Sequence, residues 1–491
     1  MDYKIGIDIG TTSTKAVLYD ENLTVKDSAI QAYPTFRKEK NMAEQDPKMI
    51  VHAVLSVLKT IVDDCEEIKS MIKTVSFSSA MHSVMLIDQK GNPLTPLYTW
   101  ADNRSNETLQ KTLKNENLDW IYKRTGTPLH SMSPFSKVLW LKQNNPSMLH
   151  KAVKIIGVKE YITYLFTGEW KIDYSIASAT GLFNLEQLKW DEDVLRFIGI
   201  NSDMLSNPVD TNYIFEKHIK KTYFEAGLSL KTRIVIGASD GCLANLGLGA
   251  IGQNEVAMTM GTSGAIRMVT DRIILDPEGR TFCYYLKKDK WVVGGAVNNG
   301  GNTFEWLADI FSLDYEKMNS LAENIQPGSD GLLFYPYLNG ERAPLWDSSF
   351  RAHFVGVDII HSKGHFIRAL MEGVLLNLFE VLDILETIGG NAEAIKVTGG
   401  FLHSPLWKQM TADVFGKQII ISNQFESSCL GAVLIEENQT EKLKYVDTMK
   451  EVIEPIKGHT EAYQSLVTLY KELSEPIKEM HRIREIHAGN L

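Results

Sequence analysis

Two short turns rich in glycine and hydroxyl side chains carry the strongest chemical signal in this sequence. The first, at residues 10–15, reads Gly-Thr-Thr-Ser-Thr-Lys, and the second, at residues 261–264, reads Gly-Thr-Ser-Gly. Glycine lets the backbone approach an anion closely, and successive backbone N–H groups of a turn form an anion-binding nest. The hydroxyl groups and the ammonium of Lys15 add further donors. The composition of the two turns therefore predicts phosphate binding.

One such turn, taken alone, is equally consistent with an ordinary Thr-rich hairpin. Residues 8–15 form neither a Walker loop nor a dinucleotide-binding fingerprint, because those lead from a strand into a helix, whereas this turn leads into a second strand. Two copies, one in each half of the chain, favour two phosphate loops that grip one nucleotide. Asp8 ends the strand before the first turn, where its carboxylate can hold Mg²⁺ directly or through water.

A further carboxylate follows another predicted strand. Asp240 comes after the apolar residues 234–236 and before the apolar residues 242–248. It is therefore predicted at the carboxyl end of a strand, where open α/β sheets place their chemistry. A carboxylate there can accept the proton of an attacking hydroxyl in phosphoryl transfer. The alternative role is a helix N-cap, which Asp often provides, and this motif alone favours the cap.

The apolar periodicity around these residues predicts an α/β protein that opens with a β-meander. Strands are predicted at residues 4–9, 15–19, 23–29, 74–79, 234–236, 255–260, 265–269, 282–286, 291–295 and 395–398. Helices are predicted at residues 46–63, 134–144, 159–166, 366–388 and 405–415, and one more begins at residue 303. The charged clusters at residues 436–437 and 471–484 are interpreted as solvated helix faces.

The strand–turn–strand unit at Gly10 recurs at Gly261, in the second half of the chain. A period near half the chain length indicates two homologous α/β lobes rather than a solenoid. A single hydrophobic core also stops growing at about 250–300 residues. We therefore predict an N-terminal lobe at residues 1–244 and a C-terminal lobe at residues 245–491.

Composition excludes several classes of protein. Of the 491 residues, 44% are hydrophobic and 23% are charged, and the net charge is −10. An acidic chain without a basic run binds nucleic acid or an anionic membrane poorly, and no apolar run approaches the roughly 20 residues of a membrane span. The four cysteines have neither metal-ligand nor redox spacing. These features predict a cytoplasmic protein with reduced thiols and with neither a nucleic-acid nor a membrane partner.

Taken in order along the chain, these segments resemble the FGGY carbohydrate kinases. The resemblance covers nearly the whole chain and includes residues 132–140, similar to the first family signature, and residues 336–347, similar to the central second-lobe segment. The motif that names the family is not visible as such. The resemblance implies two duplicated ribonuclease-H-like lobes, as in actin and the heat-shock chaperone ATPases, with a nucleotide cleft between them. It also implies direct, in-line transfer of a phosphoryl group from ATP, with Mg²⁺, to a sugar hydroxyl.

The same resemblance assigns roles to individual residues. It implies that Asp240 is the catalytic base and contacts the sugar, and that Asp8 holds Mg²⁺ through water. For the sugar, it implies contacts from Met81, His82, Trp100, Asp102 and Arg104. For ATP, it implies contacts from Gly10, Thr11, Thr12, Ser13, Lys15, Gly261, Thr262, Ser263, Gly301, Glu305, Gly399, Gly400 and Ser404. Lys137 and Trp140 belong to the first signature but stand at helical spacing, and we interpret them as packing residues.

Several alternatives remain for the substrate. Within the family, the segments at residues 79–83, 100–105, 237–246 and 297–301 most resemble gluconokinases, whereas xylulokinases share the Met-His and Trp/Asp/Arg elements. Gluconate is an anion, so its carboxylate needs Arg or backbone donors, and Arg104 with His82 is the candidate pair. Arg104 could instead bind hydroxyls or pair with Asp102 to brace the loop, and Trp100 could be a core residue. A kinase for another sugar or polyol, a non-kinase ATPase of the same fold, and a homodimer are also left open.

Overall fold

An antiparallel β-meander opens the chain, as the alternating pattern predicts. Strands β1 (Tyr3–Ile9), β2 (Ser13–Tyr19) and β3 (Val25–Ala32) follow one another and pair in antiparallel fashion. Asp8 pairs with Lys15 and Ile9 with Thr14, so the glycine-hydroxyl turn closes the first hairpin. The turn therefore joins two strands, and the predicted strand–turn–strand unit at Gly10 is confirmed.

The structure is a computed structural model, and its described residues are 2–39, 41–64, 66–252, 254–422, 426–436 and 449–488. The further strands are β4 (Glu44–Gln45), β5 (Ile72–Ser79), β6 (Met85–Ile87), β7 (Leu97–Tyr98), β8 (Lys154–Ile156), β9 (Lys171–Asp173), β10 (Phe183–Asn184), β11 (Lys189–Trp190), β12 (Asn207–Val209), β13 (Ile214–Phe215), β14 (Arg233–Ser239), β15 (Glu255–Met260), β16 (Gly264–Thr270), β17 (Phe282–Lys287), β18 (Lys290–Val297), β19 (Leu333–Tyr335), β20 (His353–Val355), β21 (Ala394–Thr398), β22 (Gln418–Ser422) and β23 (Met449–Ile453).

The α-helices are α1 (Pro47–Asp64), α2 (Asn106–Asn115), α3 (Asp119–Thr125), α4 (Pro134–Asn144), α5 (Pro146–Lys151), α6 (Val158–Thr167), α7 (Tyr174–Ser178), α8 (Glu192–Ile198), α9 (Lys220–Glu225), α10 (Asp240–Gly247), α11 (Gly301–Phe311), α12 (Tyr315–Glu323), α13 (Lys363–Gly389), α14 (Pro405–Phe415), α15 (Ser427–Leu434) and α16 (Lys457–Ala488). Short 3₁₀ helices are found at Glu66–Met71, Ser202–Met204, Ser329–Gly331 and Gly400–His403. Within the described ranges, no helix has the length and apolar character needed to cross a membrane.

The chain forms two compact units. The first comprises Met1–Ile251, Val269–Val293 and Gln424–Thr448, and the second comprises Gly252–Met268, Gly294–Asn423 and Met449–Leu491. Two segments from the second half of the sequence thus belong to the first unit. The predicted lobe boundary between residues 244 and 245 stays a prediction.

The first unit is built on a six-stranded sheet in the order β13-β14-β5-β1-β2-β3. Strands β1, β5 and β14 run parallel, and β13 pairs antiparallel with β14. Helix α1 contributes Val54, Leu58 and Ile61 to the same buried core as Ile5 and Ile7 of β1. Because parallel strands end at the same edge of a sheet, the carboxyl ends of β1 and β14 lie at one edge, on either side of β5.

The second unit repeats this pairing. Strand β15 pairs antiparallel with β16 and parallel with β21, which pairs parallel with β22. The strands β2, β1, β5 and β14 follow the same antiparallel, parallel, parallel order. Strand β23 adds an antiparallel edge to β22. The turn between β15 and β16 therefore corresponds to the turn between β1 and β2.

The strand that precedes Asp240 contains a bulge. The register between β14 and β5 shifts between Val235 and Ala238, and Gly237 has a φ of +69°. A Cβ atom at Gly237 would lie 1.7 Å from the carbonyl oxygen of Phe77, so only glycine fits. Bulges disrupt the local ladder and re-aim the residues that follow them. The bulge thus sets the direction in which the chain leaves the sheet toward Asp240.

One expectation about surface charge is wrong. Glu436 is buried, although the sequence interpretation placed it on a solvated helix face. Its carboxylate accepts hydrogen bonds from Arg233 at 2.6 Å and from the hydroxyl of Thr74 at 3.0 Å, and it pairs with Lys4 at 3.1 Å. These partners lie far away in the sequence, so local periodicity cannot reveal them. The neighbouring residue 437 lies outside the described residues.

Candidate functional site

The first glycine-hydroxyl turn is braced by a tyrosine on the segment after β3. Within the turn, the backbone N–H of Gly10 donates to the carbonyl oxygen of Ser13 at 3.0 Å. The hydroxyl of Tyr33 donates to the carbonyl oxygen of Gly10 at 2.7 Å, and its backbone N–H donates to that of Thr12 at 3.0 Å. The side chain of Thr12 is exposed. Tyr33 thus fixes the backbone of the turn, while the side chain of Thr12 faces solvent.

Lys15, which the resemblance implies as an ATP contact, is paired with a carboxylate. Its Nζ lies 2.6 Å from Oε1 of Glu426, the residue before helix α15. The two residues are 411 positions apart in the chain, so no local motif reveals the pair. A phosphate that approaches Lys15 would compete with Glu426 for the ammonium group.

Asp8 lies among carboxylates at the shared edge of β1 and β14. Its Oδ1 accepts a hydrogen bond from the hydroxyl of Ser78 at 2.7 Å. Burial, together with the carboxylates of Asp240 and Glu426, raises the pKa of Asp8 to about 7, although the hydrogen bond from Ser78 and the charge of Lys15 act in the opposite direction. A cation would relieve this repulsion, and carboxylate oxygens are ligands that Mg²⁺ prefers. The residues present therefore fit the implied metal ion.

Asp240 is the first residue of α10, and Ser239 occupies the N-cap position. The Oδ1 atom of Asp240 accepts a hydrogen bond from the backbone N–H of Gly241 at 2.7 Å. The hydroxyl of Ser428, on α15, donates to the carbonyl oxygen of Asp240 at 3.3 Å. The side chain is neither fully buried nor fully exposed. Asp240 is therefore the first residue inside the helix. The alternative interpretation had made it the N-cap, which is one position earlier.

Two residues implied to contact the sugar meet the first turn. The indole N–H of Trp100 donates to the hydroxyl of Thr11 at 2.9 Å, and Met81, Trp100, Gly10 and Thr11 line one small cavity. Gln45, which the sequence interpretation missed, donates through Nε2 to the carbonyl oxygen of Thr11. The structure thus brings together residues predicted for the sugar and residues predicted for the nucleotide.

His82 is buried and has a left-handed backbone conformation, with a φ of +65°. Its Nδ1 atom lies 2.8 Å from the carbonyl oxygen of Ala179, which requires a proton on Nδ1. Its ring meets the ring of Tyr284 edge-on, with centroids 6.0 Å apart. Tyr284 lies on β17, within one of the two late segments that belong to the first unit. The ring of His82 is thus fixed in one orientation and one tautomer.

Arg104 is held between two carboxylates. Its guanidinium donates to both oxygens of Asp102, at 2.8 and 2.7 Å, and to Oε1 of Glu44 at 2.6 Å. It also lies 4.5 Å from the centre of the Tyr98 ring and 5.3 Å from that of Trp140. Glu44 is a partner that the sequence interpretation missed. Because two carboxylates already surround the guanidinium, the arrangement favours the alternative in which Arg104 braces the loop. It is less consistent with Arg104 as the partner of a substrate carboxylate.

Lys137 is a buried lysine close enough to Asp102 and Arg104 to interact with their charges. Its side chain is fully buried, and its Nζ donates to the carbonyl oxygens of Ser131, at 3.2 Å, and Met132. Burial lowers the pKa of Lys137 to about 7, while the carboxylate of Asp102 raises it. The interpretation of Lys137 as a packing residue stays a prediction. The structure shows in addition that its ammonium group is hydrogen-bonded to the backbone.

The second unit contains a cavity of about 810 Å³, a size typical of small-molecule sites. Its lining includes predicted nucleotide contacts from three chain segments: Gly261, Thr262, Gly301, Glu305, Gly400 and Ser404. The aromatic residues Phe304, Tyr315, Phe401 and Trp407 also line it. Aromatic faces beside a polar turn can hold a flat base next to its phosphates. The sequence interpretation did not find these aromatic residues because they lie on four separate elements that only the fold brings together.

The second turn is held by the start of α11. The backbone N–H of Gly301 donates to the carbonyl oxygen of Gly261 at 2.7 Å, and the N–H of Asn302 donates to that of Thr262 at 3.2 Å. Gly399 supports the turn's strand from the other side, since a Cβ atom there would lie 2.0 Å from the carbonyl oxygen of Met260. The turn between β15 and β16 therefore has little freedom to move.

Ser404 has a structural role besides lining the cavity. Its hydroxyl accepts the backbone N–H of Trp407 at 3.2 Å, as an N-cap of α14, and donates to Asn319 at 2.6 Å. Both partners line the same cavity. Ser404 thus shapes the wall of the cavity through its neighbours.

A buried glutamate organises the segment before Gly301. Glu341 accepts hydrogen bonds from the side-chain amides of Asn299 and Asn377, both at 3.0 Å, and from the backbone N–H of Asn298. Burial raises the pKa of Glu341 to about 7. Glu341 belongs to the segment 336–347 that carries the family resemblance, but its role as a hub depends on long-range contacts. It fixes the chain that in turn holds the second turn.

Comparison with known proteins places this arrangement in a class of phosphotransferases. Residues 3–247 match the N-terminal domain, and residues 256–436 match the C-terminal domain, of the FGGY family of carbohydrate kinases. The chain therefore belongs to the FGGY family of carbohydrate kinases. The predicted family and the predicted kinase activity on a carbohydrate are confirmed.

The relatives span the full length of the chain. It is 43% identical to the gluconokinase of Bacillus subtilis over 98% of this chain and 97% of that protein. It is 27% identical to the xylulose kinase of the same organism over 98% of each chain. The crystal structure of gluconate kinase from Lactobacillus acidophilus superposes with a TM-score of 0.92 at 34% identity, covering 97% of this chain and 98% of that one. The predicted α/β fold of the actin-like sugar kinases is thereby confirmed.

Proposed function

We propose that this kinase phosphorylates gluconate to 6-phosphogluconate at the expense of ATP. The observation that carries the proposal is the 43% identity to a gluconokinase, against 27% identity to a xylulose kinase from the same organism, at equal coverage of this chain. A difference of this size over the whole chain supports a shared substrate with the first relative.

Xylulose is the second candidate. A xylulose kinase structure from Lactobacillus acidophilus superposes with a TM-score of 0.93 at 34% identity, covering 97% of this chain and 99% of that one. The gluconate kinase structure of that organism has the same identity. Structural likeness therefore supports both sugars equally, and only a direct comparison of substrates separates them.

For the nucleotide, we propose contacts from the two glycine-hydroxyl turns and from the lining of the cavity in the second unit. Thr11, Thr12 and Ser13 of the first turn and Thr262 and Ser263 of the second provide hydroxyl donors for phosphate oxygens. Backbone N–H groups of the turns add to them. Asp8 would hold Mg²⁺, which neutralises charge on the transferring phosphate when it is bound.

For catalysis, we propose that Asp240 accepts the proton of the attacking hydroxyl. Positioning and charge stabilisation dominate phosphoryl transfer, and a base orients the nucleophile and accepts its proton. Asp240 follows a parallel strand at the edge where the carboxylate of Asp8 also lies. A base beside the carboxylate that would hold the metal suits a hydroxyl that attacks a metal-bound phosphate.

For the sugar, we propose that Arg104 acts mainly by bracing the loop that carries Asp102. The two carboxylates that flank its guanidinium leave it little net attraction for a third. His82, whose Nδ1–H is bonded to the carbonyl oxygen of Ala179, would then contact a hydroxyl group of gluconate, since a neutral ring with its proton on Nδ1 has no N–H left for the carboxylate. Trp100 and Met81 would line the sugar beside it.

A panel of substrates tests the proposal. ADP release is measured with the purified full-length protein on gluconate, xylulose, ribulose and glycerol, each with Mg²⁺-ATP. We expect gluconate to give the highest kcat/KM by at least about tenfold, which corresponds to roughly 1.4 kcal/mol of discrimination. A higher value for xylulose would favour the second candidate. ADP release that no sugar increases would contradict both.

A further inference from the structure

The first unit contains a buried ion pair that touches the chain just before Asp240. Nζ of Lys159, on α6, lies 2.7 Å from Oδ2 of Asp173, and the two side chains are 3% and 0% exposed. Burial lowers the pKa of Lys159 and raises that of Asp173, while each partner opposes the effect on the other. Because desolvation offsets much of the Coulombic gain, a buried pair is weak evidence for stability.

The pair holds two successive residues that lead to Asp240. Nζ of Lys159 donates a hydrogen bond to the carbonyl oxygen of Ala238 at 2.8 Å. Asp173 caps α7 by accepting the backbone N–H of Ile176 at 2.9 Å. This fixes Ser175, whose hydroxyl accepts the backbone N–H of Ser239 at 3.2 Å and lies 2.9 Å from its hydroxyl. Ala238 and Ser239 are thus both anchored from α6 and α7.

These anchors lie directly after a bulge in β14. The bulge at Gly237 shifts the register of β14 between Val235 and Ala238, and a bulge disrupts the ladder around it. After the bulge, Ala238 and Ser239 pair again with Ser78 and Ser79 of β5, and this short stretch of ladder receives additional support from outside the strand. Lys159 and Ser175 provide it at consecutive positions, immediately before α10 begins.

We propose that Lys159 and Asp173 are positioning residues that hold Asp240 in the geometry required for phosphoryl transfer. The inference rests on the proposed role of Asp240 as the base. The pair does not contact the sugar or the nucleotide in this proposal. It acts through the backbone of Ala238 and, by way of Ser175, through Ser239. A displacement of about 1 Å at a reacting group can lower the rate about 10²-fold, so loss of the anchors should affect turnover.

The test removes both charges at once. Lys159→Met combined with Asp173→Asn avoids leaving one buried charge unpaired, and Asn preserves the cap of α7. We expect kcat on gluconate to fall about 10-fold to 100-fold, with the KM values for ATP and gluconate within about twofold of wild type. A residue that only stabilises the fold would lower the melting temperature and leave the kcat of the folded enzyme unchanged.

Lys154 offers a matched control. Its Nζ also donates to two carbonyl oxygens, those of Asp203 and Leu205, both at 2.7 Å. Neither of these residues belongs to the strand that leads to Asp240. Lys154→Met should therefore leave kcat and both KM values at the wild-type level. An equal loss of kcat in this control would overturn the inference.

Ser175→Ala is the second variant, in case the double variant fails to fold. It removes the contacts with Ser239 and keeps the ion pair. We expect kcat to fall about threefold to tenfold with both KM values unchanged, in the range of one lost hydrogen bond. If neither variant lowers kcat selectively, the positioning role is wrong.

Asp240→Asn, measured in parallel, separates this inference from the proposed function. If Asp240→Asn is nearly inactive while the double variant and Ser175→Ala retain wild-type kcat, the base assignment stands and the positioning inference fails. If Asp240→Asn retains wild-type kcat, the base assignment fails and takes this inference with it. A low kcat in all three variants, with unchanged KM values, supports both.

Discussion

The indole N–H of Trp100 is hydrogen-bonded to the hydroxyl of Thr11 at 2.9 Å. Trp100 was predicted to contact the sugar and Thr11 to contact ATP, so one bond joins the two predicted sites within the first unit. Gln45 holds the same residue from its backbone side, through the carbonyl oxygen of Thr11. A change on the sugar side therefore reaches the first turn through a direct contact.

Trp100→Phe tests this connection. The variant keeps an aromatic ring and loses the donor to Thr11. We expect the KM for ATP to rise about twofold to tenfold, the range for one neutral hydrogen bond, together with the KM for gluconate. Steady-state kinetics with each substrate varied in turn measures both values. Trp120→Phe is the control, since the guanidinium of Arg124 lies over the Trp120 ring and this ring packs against Phe197. A rise in the gluconate KM alone would show that the bond does not carry the effect.

Asp240→Asn should abolish most of the activity and preserve the fold. Loss of a general base costs about 10²-fold to 10⁴-fold in rate, whereas Asn is nearly as good a helix cap as Asp. Ser239, not Asp240, holds the N-cap position, so we expect a melting temperature near that of wild type. The kcat, together with ATP affinity from calorimetry, gives the answer. A kcat close to wild type would end the assignment of Asp240 as the base.

Arg104→Met distinguishes bracing from recognition of a carboxylate. The variant leaves Asp102, which is fully buried, without its main counter-charge, and breaking a buried pair costs about 3–5 kcal/mol. We expect a clearly lower melting temperature and a similar loss of affinity for gluconate and for a neutral polyol of the same length. Arg196→Met is the control, because Arg196 pairs with Asp193 at the surface, with side chains 76% and 49% exposed, and such pairs contribute about 0–1 kcal/mol. A loss of affinity for gluconate alone would instead show that Arg104 binds the substrate carboxylate.

Glu160 predicts a pH dependence of stability. Burial raises its pKa from 4.5 to about 7, so the folded chain binds a proton that the unfolded chain releases between these pH values. The contribution of Glu160 to stability therefore falls as the pH rises from 4.5 to 7. Glu160→Gln removes this dependence and keeps the bond to the backbone N–H of Gly157. We expect the variant to gain on the order of 2–3 kcal/mol relative to wild type between pH 4.5 and pH 8.

Urea unfolding midpoints at pH 4.5 and pH 8 measure this effect. Glu107→Gln is the control, since Glu107 is exposed and its pKa is lowered by Lys111. That control should change little between the two pH values. A Glu160→Gln variant that differs from wild type by the same amount at both pH values would contradict the raised pKa.

Local patterns predicted most of the elements that carry the site. The helix at residues 134–144 and the helix at residues 405–415 are found with the predicted bounds, because a proline at the start and a helical apolar stripe define each. The hairpins around the two turns follow from strict alternation. The helix expected at residues 366–388 begins at Lys363, since the polar first turn has no apolar signal.

The partners of the charged residues could not be predicted in this way. Lys15 with Glu426, Arg104 with Glu44 and Lys159 with Asp173 meet only after the strands are in register. No spacing within one element identifies such pairs. The resemblance to a family supplied roles for single residues but not the contacts between them. The bulge at Gly237 was likewise invisible, because a glycine before Asp240 fits an ordinary loop equally well.

The substrate is the central claim, and one competition experiment tests it most directly. The full-length enzyme is given equal concentrations of gluconate and xylulose with limiting Mg²⁺-ATP, and the phosphorylated products are quantified by mass spectrometry. Under competition, the product ratio equals the ratio of the two kcat/KM values. We predict at least about tenfold more 6-phosphogluconate than phosphorylated xylulose. An equal amount of the two products, or an excess of phosphorylated xylulose, would contradict the assignment to gluconate.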